Sequence, residues 1–296
     1  MATSNNNNYS VLPIYGSIDE QDHRKSYAYG DVYPLNALVN TVLPFQIDIG
    51  TDPTSPTEVF LVNFNDSTET DITAEMTATG LRAYVLGTYR LIVYPSTMPL
   101  ITAFEQGRYF LRIVAHLSDG DKEFYSEVFT WVPSVDAFLK VEWYDKDNLL
   151  LDDGVAVYKT PLYRIRHYLY INAELGKPEY KFEEEGESRD GYFFPEKQIS
   201  EKVYRFTFTA PEYLCDLMRF IRLSDYVYVY DQYGRQYKAD TFLMTPKWLT
   251  QGNLAQVDCE FETNTVAKKT GRSVSAEEIG GDFNDDYNND YNNQGA

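Results

Sequence analysis

The sequence predicts a mainly β protein, with an N-terminal β-sandwich followed by a second β-rich domain carrying one helix. Three observations lead there. Aromatic residues make up 16% of the chain, with 26 Tyr, 17 Phe and 3 Trp, and large rings favour strands and interfaces. Runs of β-branched and aromatic residues recur between clusters of Gly, Pro, Ser and Thr, which punctuate strands. Only residues 209–225 carry a convincing helical period.

Residues 1–35 are polar, with an Asn run from Asn5 to Asn8, and read as an extended arm. Residues 36–133 form the first domain. Its expected strands are 38–49 (LVNTVLPFQIDI), 58–64 (EVFLVNF) and 88–95 (TYRLIVYP), followed by a hairpin within 107–133. In that hairpin Tyr109, Leu111, Ile113 and Ala115 alternate with Phe110, Arg112, Val114 and His116. Ser118–Asp121 is the turn, because Asp and Gly tolerate positive φ. On the returning strand Phe124, Ser126, Val128 and Thr130 oppose Tyr125, Glu127, Phe129 and Trp131. Gly107, Tyr109 and Leu111 resemble the tyrosine-corner segment of immunoglobulin-like sandwiches, so the first domain is read as one of these.

Residues 133–137 are the expected joint to a β-rich domain over 137–268. Strands are expected at 137–144, 162–171, 201–209, 226–230, 235–244 and 255–263. The helix near 210–223 has Leu214, Leu217, Met218 and Ile221 on one stripe. Thr209 with Glu212 makes a capping-box pattern, Pro211 fits the first turn, and Arg219 and Arg222 suit the last. Residues 269–296 form an acidic tail of low complexity, rich in Asn, Asp and Tyr.

Charge and composition exclude several functions. The formal net charge is −19, with 45 acidic against 26 basic residues, which opposes wrapping a nucleic acid backbone. It suits a surface past which DNA slides without sticking. The opening MATSNNNNYS has neither a basic nor an apolar region, so no secretory signal is expected, and no apolar run is long enough to span a bilayer. Cys215 and Cys259 form no CxxC and are expected as buried thiols. His23, His116 and His167 show no metal-ligand spacing. The Asp145–Gly154 stretch lacks the Gly and Glu of a calcium loop, reading instead as two polar turns around a short strand. Asp282, Asn284 and Asp286 have calcium-loop spacing, but Tyr287 stands where Gly is needed. Glu183 to Glu185 read as a solvated acidic turn, not as half of a glycosidase carboxylate pair. No nucleophile elbow, phosphate loop or dinucleotide fingerprint is present. Neither an enzymatic activity nor a cofactor is expected.

The block KPEYKFEEEGESRDGYFFPEKQISEKVYRFTFTAPEYLCDLMRFIRLSDYVYVYD, with FLMTPKW, VDCEFETNTVAKK and EFYSEVFTWV, carries a resemblance. Across residues 105–270 it resembles the structural neck and tail proteins of crAss-like tailed phages that infect gut Bacteroidetes. That resemblance implies a virion protein made in the host cytoplasm. It would be a ring-forming subunit, twelve-fold if it lies directly beneath the portal. Its partners would be its own copies and neighbouring tail, neck or portal proteins, around a channel through which DNA passes, with neither a membrane nor a specific nucleic acid as partner. The expected interface is the Tyr226, Tyr228 and Tyr230 ladder, read as an edge strand, together with Asp282, Asp285 and Asp286 of the tail. The alternative is a glycan-binding or adhesin module using exposed Trp143, Tyr144 and Tyr226; a β-sandwich hydrolase is a more distant rival.

Overall fold

A computed structural model describes residues 10–17, 35–86, 89–95, 98–136, 138–146, 165–189, 191–248, 254–263 and 267–270. The protein is mainly β. Its first strands are β1 (Ile14–Tyr15), β2 (Leu35–Leu38), β3 (Phe45–Asp48), β4 (Glu58–Asn63) and β5 (Glu69–Asp71). Helix α1 (Thr73–Thr79) precedes β6 (Arg82–Leu86), β7 (Tyr89–Tyr94), β8 (Gly107–Leu117), β9 (Gly120–Ser126) and β10 (Phe129–Val132). Then come β11 (Leu139–Tyr144), β12 (His167–Ile171), β13 (Glu179–Arg189) and β14 (Tyr192–Pro211). Helix α2 (Glu212–Met218) and a 3-10 turn (Ile221–Leu223) lead to β15 (Tyr226–Tyr230), β16 (Gln236–Trp248), β17 (Leu254–Thr263) and β18 (Ala267–Thr270).

The chain divides into two compact units, Met1–Pro178 with Val203–Asn264, and Glu179–Lys202 with Thr265–Ala296. In the first unit β5 pairs β4 and β4 pairs one edge of β8. The other edge of β8 carries β9 and then β10. β1 lies antiparallel on β9, and β2 parallel on β10. The sheet continues through β12, β11, β15, β16, β17 and the Val203–Pro211 part of β14. A second sheet, β3-β7-β6, contributes Phe45, Ile47, Ile92 and Tyr94 to the same apolar core as Leu61, Leu111 and Ile113. The joint expected at 133–137 thus falls inside one unit, where β12 meets β2 through Tyr170 and Asn36.

Several expectations are corrected. The single strand expected at 38–49 is two strands in different sheets. Asn40 turns the chain at a φ of 64°, and its backbone carbonyl and side-chain Oδ1 accept from the Leu100 and Phe104 amides. The returning strand of the hairpin is interrupted at Glu127–Val128. β9 pairs Tyr125 with Arg112, whereas β10 pairs Phe129 with Tyr109, one residue out of step. That extra residue is a bulge, and it turns Phe129 and Trp131 to the same side as Phe124. Val128 joins Val62 and Phe110 in a separate cluster.

At α2 the N-cap is Pro211, in extended conformation and without a side-chain cap; Thr209 is still in β14, opposite Gln256, so no capping box forms. Helix α1 lay outside the expectations because TAEMTAT has no apolar stripe and buries only Met76. Glu183 to Glu185 belong to β13 and not to a turn. The residues read as an arm include a buried segment, Ser10 to Tyr15. Of the Asp145–Gly154 stretch only Asp145 and Lys146 are described, and residues 271–296 of the tail lie outside the described residues.

Candidate interaction surfaces

The expected edge ladder is an internal strand. β15 is paired on one side by β11 and on the other by β16, so its backbone offers no open edge. What Tyr226, Tyr228 and Tyr230 present is a sheet face. The register sets Tyr144 opposite Tyr226, Glu142 opposite Tyr228 and Lys140 opposite Tyr230. It also sets Glu142 against Tyr168 and Lys140 against Tyr170. Alternation sends Val141, Trp143, Leu169, Val227 and Val229 to the opposite, buried face. Trp143, expected to be exposed, is therefore a core residue stacked on His167 at 5.6 Å.

The tyrosine face is held by charge as well as by rings. Glu142 is buried and takes the Lys140 ammonium at 2.6 Å and the Arg166 guanidinium at 3.5 Å. The same Lys140 lies 4.9 Å from the Tyr230 ring centroid, and Arg166 lies 4.9 Å from that of Tyr144. Tyr144 stacks on Tyr226 at 4.9 Å and on Tyr228 at 6.1 Å. Burial, then the hydrogen bond with Tyr228, raises the Tyr144 phenol above its ordinary pKa. Burial does the same for Tyr230. These phenols stay neutral at physiological pH and act as hydrogen-bonding rings. Asp282, Asp285 and Asp286 lie outside the described residues, so the structure brings together only the tyrosine half of the expected interface.

A second surface was missed by sequence reasoning. In the second unit β13 is a neighbour of β14, which also pairs β18, and Gly191 makes the connecting turn at a φ of 83°. Every residue from Glu179 to Ser188 is exposed, and none of the described side chains in this unit is buried. Tyr180 and Phe182 stand 59% and 72% exposed. Around them run polar pairs: Gln198 donates to Glu184 at 2.9 Å, and Lys197 bridges Glu185 at 3.3 Å. The signal that could have found the ribbon is the aromatic pair on alternate positions ahead of an acidic run.

The third surface is the slot that holds the N-terminal segment. Ile14 and Tyr15 pair with Ser126 and Tyr125 of β9. The Glu127 amide donates to the Pro13 carbonyl at 2.8 Å, and the Tyr15 hydroxyl donates to the Glu127 carboxylate at 2.8 Å. The Gln46 amide donates to Ser10 Oγ at 2.9 Å. The β9–β10 bulge thus presents a buried carboxylate to which the incoming tyrosine binds.

Among the described residues, no group of three or more His, Cys, Asp or Glu is placed to hold a metal ion, and no helix is long and apolar enough to cross a membrane. Cys215 and Cys259 are buried free thiols, and burial raises both above the usual thiol range. Compared with protein-family models, curated proteins and solved structures, the chain gave no match.

Proposed function

We propose that the chain is a virion structural protein, a ring subunit of a phage neck or tail that packs on neighbouring ring or portal proteins around the DNA channel. The observation that carries this reading is the ribbon of the second unit. A ribbon of two or three strands none of whose described side chains is buried is marginal in water, and a partner surface is what stabilises it. Covering Tyr180 and Phe182 would gain about 25 cal/mol for each Å² of apolar area removed from water. The net charge of −19 suits a wall along which DNA moves without adhering.

In the same reading the N-terminal part is an immunoglobulin-like sandwich. Its support is local: the Tyr109 hydroxyl donates to the Glu105 carbonyl at 3.0 Å, as at a tyrosine corner, and Trp131 is packed in the core shared by two sheets. The test is native mass by light scattering of the chain and of a Tyr180→Ser/Phe182→Ser variant. The parent is expected as a multimer and the variant as a folded, smaller species. Equal masses would remove the ribbon from the assembly.

The tyrosine face favours a second reading, a glycan-binding module, since stacked half-exposed rings with adjacent cations suit sugar faces and hydroxyls. A glycan array without hits on the native chain would retire it.

A further inference from the structure

We propose that the segment Ser10–Tyr15 is exchanged between copies of this chain, the segment of one copy filling the β9-edge slot of the next. The proposal rests on the ring reading above and gives that ring its joint.

The segment has the properties of a docked ligand. Val11, Leu12, Ile14 and Tyr15 are all buried, although the chain on its C-terminal side is polar. Its hydrogen bonds include the strand pairing with β9, the Glu127 amide to the Pro13 carbonyl at 2.8 Å, the Leu12 amide to the Pro44 carbonyl at 3.4 Å, the reciprocal Ser10–Gln46 pair, and the Tyr15–Glu127 bond. Addition of a strand to a sheet edge, with alternate side chains in pockets, is a recurring mode of recognition.

Chain length supplies the second argument. Tyr15 sits opposite Tyr125, and Leu35 opposite Phe129, four positions further along the same edge of β8. Four strand residues span about 13 Å. The chain joining Ser17 to Leu35 comprises residues 18–34, seventeen residues that extend to about 56 Å. β1 runs antiparallel to β9, so the chain leaves Tyr15 away from Phe129. From Ser17 a connection within one copy turns back over up to six strand positions, about 20 Å, still well short of that reach. In the exchange that surplus length is what carries the segment to the equivalent slot of a neighbour. A head-to-tail donation of this kind generates a ring when its rotation closes.

Two variants test the exchange. The first deletes residues 20–29, leaving seven residues that extend to about 23 Å, enough for the chain's own slot. It is expected to stay folded and to lose the multimer in light scattering. The second is Ile14→Cys with Ser126→Cys, a directly paired couple whose spacing allows a disulfide. On oxidation of the assembled protein, non-reducing gels are expected to show a ladder of covalent multimers. A full-length multimer that survives the deletion unchanged, with the cysteine pair closing only within single chains, overturns the exchange and leaves the ring standing. A full-length chain that is monomeric removes the ring and the exchange together.

Discussion

His167 shows what one buried titratable side chain does to this fold. It lies in the core against Trp143, and burial pulls its pKa from 6.5 down to about 3. Above pH 6.5 the imidazole is neutral whether the chain is folded or not, and the group adds no pH dependence. Below 6.5 the unfolded chain takes up a proton that the folded chain refuses, so stability falls as the pH falls towards 3. Urea unfolding at pH 7.5 and 5.0 is expected to show a smaller loss for His167→Phe, which keeps a ring on Trp143, than for the parent. Equal losses would mean that His167 is not held neutral. His116 is the contrast: its Nδ1 lies 2.8 Å from the Asp121 carboxylate, which raises its pKa, so the same residue type is tuned in opposite directions on one chain.

At the scale of elements, the corner at the start of β8 is the most sharply specified device. Trp131 packs on Tyr109 at 4.7 Å and donates its indole N–H to the Thr41 carbonyl at 2.6 Å. A Cβ on Gly107 would stand 3.2 Å from the Tyr109 ring and push the hydroxyl away from Glu105. Gly107→Ala is expected to destabilise by about 1–3 kcal/mol in urea unfolding, the range for overpacking a filled site; unchanged stability would remove the corner from the account. Most strands were legible because alternation over residues such as Val203 to Phe208 or Val257 to Phe261 records one buried face. Their neighbours were not. Nothing in YVYVY tells an edge strand from one flanked on both sides, since pairing is decided by chain segments more than eighty residues apart. The bulge at Glu127–Val128 is one additional residue and leaves no mark in composition. The β13 ribbon hid for the opposite reason: with both faces exposed it has no alternation to read. Of the site, the three tyrosines were found, but Glu142, Lys140 and Arg166, which fix that face, look in sequence like ordinary surface charges.

For the whole molecule, the three surfaces differ in what they ask of a partner. The tyrosine face is internally satisfied, with its buried carboxylate already paired to two cations. The ribbon and the N-terminal slot are different. One has no buried side chain among its described residues, and the other is filled by a segment joined to β2 through seventeen residues, 18–34. Both are explained if the folded unit is a subunit and its neighbours complete it. The most direct measurement is negative-stain microscopy of the purified full-length chain at micromolar concentration, alone and with neighbouring virion proteins. The account predicts closed rings of uniform copy number; monodisperse single chains under both conditions would contradict it.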